Sequence, residues 1–253
     1  MLERNGEIVE GKGFCIDDFT TQAMEFMEKS KAKSQPFFTY LPYNTPHSPM
    51  QVPDKYWGKF AHKNLKMKAG DRHLRSALAM CENLDYNVGR VLAKLDQLKV
   101  AENTIIVWFH DNGPNGKRWN GGMKGRKGSV EEGGCRSPLF MKWPGGIKKG
   151  LQIEKIASVR DLLPTLCELA GIKASTPSPL DGGSLVLLIK NPKAEWEDRI
   201  FVSQWKKKFG DLYLISDKAP INTDDTGKSM TYVDQFIFPD NAVARITCND
   251  WSK

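Results

Sequence analysis

The stretch from Leu74 to Phe109 sets the strongest limit on how this chain can fold. Leu74, Leu78, Cys81, Leu84, Val88, Val91, Leu92, Leu95 and Leu98 recur at helical spacing, which predicts one long amphipathic helix over residues 71–99. The short link ENT then leads into TIIVWF, the apolar, β-branched and aromatic run of a buried strand. A helix with one apolar stripe needs a sheet or another helix to cover it, and a strand apolar on both sides needs cover on both faces. Together these point to α/β layering.

The remaining segments extend the pattern. Asp17 or Asp18 is placed to cap a helix running to about Lys29, with Ala23, Met24, Phe26 and Met27 on its buried side. PFFTYLPY reads as a second buried strand, and PLFMKWP as a third, stopped by Pro144 and Gly145. Ser158 is placed to cap a helix through DLLPTLCELAG that Gly171 closes, and Pro164 is tolerable there in the first turns. These three strands are expected in one sheet with the 71–99 helix against its face. STPSPLDGG is linker-like, the pattern weakens from Asp198 onward, and the expected division is a main domain over 1–190 with a small one over 191–253.

At 253 residues, 40% hydrophobic and 26% charged, the chain can bury a real core. Lys plus Arg outnumber Asp plus Glu by 37 to 30; the excess favours anionic partners but is too mild and scattered to point to nucleic acid. The five cysteines lack any CxxC spacing, which argues against a zinc site or a dense disulfide framework. No apolar run approaches the roughly 18 residues of a membrane helix, and MLERNGEIVEGKGF has no apolar signal core.

Between TIIVWF and LFMKWP the chain runs through a long loop of an acid, an amide, glycines and cations. Asp111 and Asn112 stand where a strand ends, the favoured edge for ligands in open α/β sheets, and offer hard oxygens suited to Ca²⁺ or Mg²⁺. Asp-Asn-Gly is equally the chemistry of a plain turn. His47 in TPHSP is held between prolines at the end of another predicted strand and can exchange a proton or bond an anionic oxygen near pH 7; by itself it is equally a surface histidine. Lys127, among glycines, can neutralise a tetrahedral oxyanion, although charge alone does not select it from Lys117, Arg118, Lys124 and Arg126. Trp119 and Asn120 in RWNGG suit a sugar as stacking surface and hydrogen-bonding group, and the indole equally suits packing against the strand end.

In their order, PFFTYLPYNTPHSP, LDYNVGRVLAKLDQLKVAENTIIVWF, HDNGP, KGSVEEGGCRSPLFMKWPGG and DLLPTLCELAGI followed by LDGGSL resemble the later part of a formylglycine-dependent sulfatase of the arylsulfatase type, within the alkaline phosphatase-like superfamily. The resemblance covers about residues 15–205. It implies a layered α/β fold with a central mixed, largely parallel sheet, incomplete at the N-terminus, and hydrolysis of sulfate esters on a sulfated small molecule or glycan. It further implies that Asp111 and Asn112 are the second pair of metal ligands, with Ca²⁺ favoured over Mg²⁺. Likewise His47 is implied to bond the ester bridge oxygen and Lys127 to bind sulfate oxygens. The family setting is periplasmic, secreted or lysosomal.

Two features depart from the family. Its nucleophile is a formylglycine made from Cys or Ser in C/S-x-P-x-R, and CIDDF, CENLD, CRSPL, CELAG and CNDWS all fail that pattern, as does every serine. Nothing before MLERNGEIV matches the family's first pair of aspartate ligands, so the chain reads as a fragment. Two alternatives accompany the sulfatase expectation: a catalytically silent protein of the same fold that binds an anionic ligand or partner, and a phosphate or phosphonate ester hydrolase. FGDLYLISDKAPINTDDTGKSMTYVDQ matches poorly, and no role is assigned after about residue 206.

Overall fold

A computed structural model describes residues 2–63, 65, 73–116, 118–205 and 211–215. The chain divides into two units, Met1–Thr104 and Ile105–Lys253.

The first unit opens with a hairpin. β1 (Leu2–Arg4) and β2 (Glu7–Val9) pair antiparallel through Asn5 and Gly6, both at positive φ, as a two-residue turn between twisted strands requires. α1 spans Cys15–Ala32, α2 Asp54–Ala61 and α3 Leu74–Gln97. The long helix forms as its spacing predicts, and residues 71 and 72 of the expected range lie outside the described residues. α3 packs against both α1 and α2, burying Ala77, Met80, Leu84 and Leu95 with Ala23 and Met27 of α1 and Tyr56 of α2.

The expected cap of α1 is corrected. The helix starts earlier, with Phe14 in the cap position, so Asp17 and Asp18 lie in its first turn, where carboxylates suit the positive end of the helix. Asp17 also ties α1 to α3, because its Oδ1 accepts from Asn83 Nδ2 at 2.9 Å and Asn87 Nδ2 at 2.7 Å. Arg90 completes the network, donating to the Asp17 carbonyl, to Asn87 Oδ1 and to Thr21 Oγ1. Asn83 and Asn87 are fully buried, so this polar seam between α1 and α3 fixes their register where an apolar seam would allow sliding. Phe26, expected on the buried side, is exposed.

PFFTYLPY is also corrected. Residues 37, 39, 41 and 43 are half-buried while 38, 40 and 42 face outward, which is the period of a strand. No neighbouring strand among the described residues bonds to it, so it is extended chain without a ladder. Phe38 and Tyr40 are 76% and 63% exposed as a result. The segment is tied down by Tyr43, whose hydroxyl lies 2.7 Å from Thr20 Oγ1. Thr20 donates its own proton to the Ile16 carbonyl, which makes Tyr43 the donor.

In the second unit, β3 (Ile106–Phe109) and β4 (Leu139–Lys142) pair antiparallel from Ile106 opposite Lys142 to Phe109 opposite Leu139. The short helix α4 (Glu132–Cys135) ends the loop between them. Ser158 caps as expected: its side chain and that of Asp161 form a reciprocal capping box around a 3₁₀ turn that runs into α5 (Leu162–Leu169). Pro164 sits in the first turn, where its missing N–H costs no hydrogen bond. Gly171, at φ +68°, closes α5, with Ile172 N–H bonded to the Cys167 carbonyl and Gly171 N–H to that of Glu168. α6 (Val186–Lys190) follows, then β5 (Phe201–Trp205) paired antiparallel with β6 (Asp211–Ile215). Asp161 is fully buried and collects the unit together, accepting from Ser158 N, Gly183 N and Arg199 Nη1.

One central, largely parallel sheet is therefore not what the described residues form. They make three separate two-stranded antiparallel sheets. Hairpin pairing needs only the loop between its strands, whereas parallel pairing needs a crossover and further strands, which these residues do not supply.

Candidate functional site

The loop between β3 and β4 is closed by a ladder of hydrogen bonds that continues past the strands. Beyond Phe109 and Leu139, Ser137 Oγ donates to the His110 carbonyl at 2.8 Å. Next, Gly113 N–H donates to the Gly134 carbonyl at 2.9 Å, and Lys127 N–H to the Pro114 carbonyl at 3.0 Å. Gly133 N–H reaches the Lys124 carbonyl, and Asn120 Nδ2 donates to the carbonyls of Met123 (2.7 Å) and Gly125 (3.0 Å). Lys124 is paired with Glu131 at 2.9 Å.

This folding explains the glycines. A Cβ placed on Gly113 would overlap the Gly133 carbonyl oxygen, and one on Gly133 would meet the Gly125 carbonyl and the Asn120 amide. Backbone must touch backbone here for the loop to return.

The ladder brings Lys127 beside the turn that carries Asp111 and Asn112, because the residue that receives the Lys127 N–H follows Gly113 directly. His47 belongs to the first unit, on an exposed loop between two cis prolyl bonds, Thr45–Pro46 and Ser48–Pro49, with Nδ1 3.1 Å from the Ser48 carbonyl oxygen. His110 stands beside Asp111 with its ring edge-on to Trp108, centroids 5.9 Å apart. Burial against its surroundings holds its pKa below the ordinary 6.5, with the Asp111 carboxylate pulling the other way.

As metal ligands, Asp111 and Asn112 offer two adjacent hard oxygens, which fits part of a Ca²⁺ shell of about six to eight. Among the described residues no cluster of three or more His, Cys, Asp or Glu could hold a metal by itself. The pair suits a shared site rather than a self-sufficient one.

Two features of the loop escape a sequence reading. Asn120 is a brace: both hydrogen bonds of its amide go to the loop's own carbonyls. The visible signal is an Asn ahead of Gly121 and Gly122, both at positive φ. Trp119 is not packed against the strand end; it is 90% exposed.

Comparison with known proteins gives the family. The sulfatase family model matches residues 3–172, well over half of the chain. This chain belongs to the sulfatase family. A second model, N-sulphoglucosamine sulphohydrolase, C-terminal, matches residues 126–233. Sulfatase relatives include the uncharacterized sulfatase YdeN of Escherichia coli, 33% identical over 76% of this chain and 34% of its own length. Another is the N-acetylgalactosamine-6-sulfatase of Mus musculus, 30% identical over 72% of this chain and 33% of its own. Among solved structures, Ps i-CgsB matches with a TM-score of 0.72 and 30% identity over 85% of this chain and 46% of that one. Its complex with k-i-k-neocarrahexaose matches at 0.70. The chain thus spans about a third of the length of the curated sulfatases it matches.

Proposed function

We propose that this chain supplies part of the active site of a sulfate ester hydrolase, with Asp111 and Asn112 as Ca²⁺ ligands and Lys127 as the cation that binds sulfate oxygens. The observation that carries this is the hydrogen bond from Lys127 N–H to the Pro114 carbonyl, which sets the lysine beside the acid-amide turn. When bound, a calcium ion would add positive charge to a sulfate oxygen. Asp111 contributes a negatively charged oxygen to that ion, Asn112 a neutral one, and Lys127 a mobile ammonium to the anion. For His47, support comes from the motif match alone, with hydrogen bonding to the ester bridge oxygen as its proposed role. In the whole protein, the reading carries a layered, largely parallel sheet, a main domain over 1–190 and a small one from 191, and a sulfated small molecule or glycan as substrate.

A second reading has one specific observation in its favour. No C/S-x-P-x-R motif occurs in these 253 residues, so this polypeptide by itself is proposed to bind sulfate without turning over an aryl sulfate, since removing the main nucleophile costs orders of magnitude in rate.

Calorimetry tests the site. With one carboxylate, the chain should bind Ca²⁺ weakly, and more tightly when inorganic sulfate is present, because each ligand offsets the charge that opposes the other. Asp111→Ala should remove both the binding and the coupling. Tight Ca²⁺ binding indifferent to sulfate and to Asp111→Ala would refute the assignment.

A further inference from the structure

We infer that Trp119 is the stacking surface for the sugar ring of a sulfated carbohydrate, and so a specificity-determining residue of the site. The inference rests on the sulfate-site reading and names its substrate class. Its first support is exposure combined with fixity. An indole that is 90% exposed leaves a large apolar face in water, yet the backbone beside it is not loose. Asn120, its immediate neighbour, holds the turn through two hydrogen bonds, to Met123 and Gly125. Gly125 in turn precedes Lys127 by two residues, and Lys127 is anchored to Pro114. One braced loop therefore carries the candidate metal ligands, the sulfate-binding cation and the unpacked indole.

The second support is Arg118. Its Nε is buried with no hydrogen-bond partner, a state shared by Arg75 and Arg199 Nε, but Arg118 alone of these is the chain neighbour of the exposed indole, and an acceptor oxygen that reached it would satisfy it. A hexose matches both features, offering a C–H face for an indole and a rim of hydroxyl oxygens for a donor. A large aromatic ring with two rotatable bonds also loses little entropy on binding. A purely apolar sulfate ester would use the indole and leave the arginine unanswered.

The test is calorimetry on the purified chain with Ca²⁺ present, using N-acetylgalactosamine 6-sulfate, galactose 6-sulfate and inorganic sulfate as probes. Trp119→Ala should weaken the sulfated hexoses by roughly three- to ten-fold, in the range of an aromatic contact, and leave inorganic sulfate unchanged. Trp119→Tyr should restore most of the loss. Because Trp119 is exposed, the alanine variant should fold, and its circular dichroism checks this. Hexose binding that Lys127→Ala abolishes and Trp119→Ala leaves intact would overturn the stacking role while keeping the sulfate site. Equal weakening of inorganic sulfate by Trp119→Ala would overturn the stacking role alone, and absence of binding by every probe would overturn both.

Discussion

Lys127 is held to Pro114 through its backbone N–H, at 3.0 Å, and not through its ammonium. The side chain is thus not needed to close the loop. Position and charge are separate contributions at this residue.

Lys127→Ala should therefore leave the loop closed and remove only the charge. Sulfate affinity should fall by roughly ten- to a hundred-fold, the range of a charge-assisted hydrogen bond, while amide exchange at residue 127 stays slow. Lys127→Arg should bind sulfate more weakly than the parent but better than Lys127→Ala. Faster exchange in the alanine variant would show that the ammonium holds the loop.

Gly113→Ala should act in the opposite way. Its added methyl would collide with the Gly133 carbonyl, opening the ladder at a cost of about 1–3 kcal/mol, so the Lys127 amide should exchange faster and sulfate binding should drop although no charge was touched. Gly150→Ala is the control. That glycine has φ +74° and nothing near its Cβ position, so only the backbone penalty of about 1 kcal/mol applies. Equal exchange rates at residue 127 in both variants would show that the close contact does not hold the loop.

The parts legible in the sequence were those set by local rules. The stripe of α3, the Ser158 cap, the Gly171 stop and the strands at 106–109 and 139–142 each depend on a few neighbouring residues. PFFTYLPY failed as a strand because alternation predicts extension, whereas a ladder needs a neighbour that composition does not reveal. The Asp17 seam was hidden too. Nothing in the sequence pairs Asp17 with Asn83 and Asn87, and an acid near a helix start reads as a cap. For the candidate site, residue type suggested Asp111 and Asn112, while charge alone did not select Lys127 and the motif resemblance did; in the fold Lys124 is paired with Glu131. The hairpin turn at Asn5 and Gly6 follows the Asn-Gly preference of two-residue turns, a signal that apolar periodicity does not register.

Arg199→Ala should destabilise the second unit by about 3 kcal/mol, the cost of leaving a buried carboxylate without its cation. Arg199 Nη1 lies 2.8 Å from Asp161 Oδ1, Asp161 is fully buried, and the guanidinium lies about 5 Å from the Trp196 and Phe201 rings. Adding Asp161→Asn to Arg199→Ala should recover part of the loss, since the uncompensated charge is then gone. Urea denaturation of the single and double variants measures this, and strict additivity of the two substitutions would show that the ion pair is not coupled.

Tyr43 should make the first unit sensitive to alkali. Burial raises its pKa above the ordinary 10.0, a shift that the Thr20 hydrogen bond and Arg90 oppose and Asp17 reinforces. The folded state therefore holds its phenolic proton at pH values where the unfolded chain has released it. Stability from this group is complete below about pH 10 and declines as pH rises through the folded pKa. Phenolate absorbance should show a step above the ordinary tyrosine pKa of 10.0, and Tyr43→Phe should remove that late step. The same substitution deletes the bond to Thr20 and should cost about 1 kcal/mol at neutral pH, with a flatter loss of stability toward high pH than in the parent. A late step that survives Tyr43→Phe would mean that Tyr43 is not the buried phenol and that the Thr20 contact does not hold the extended segment in solution.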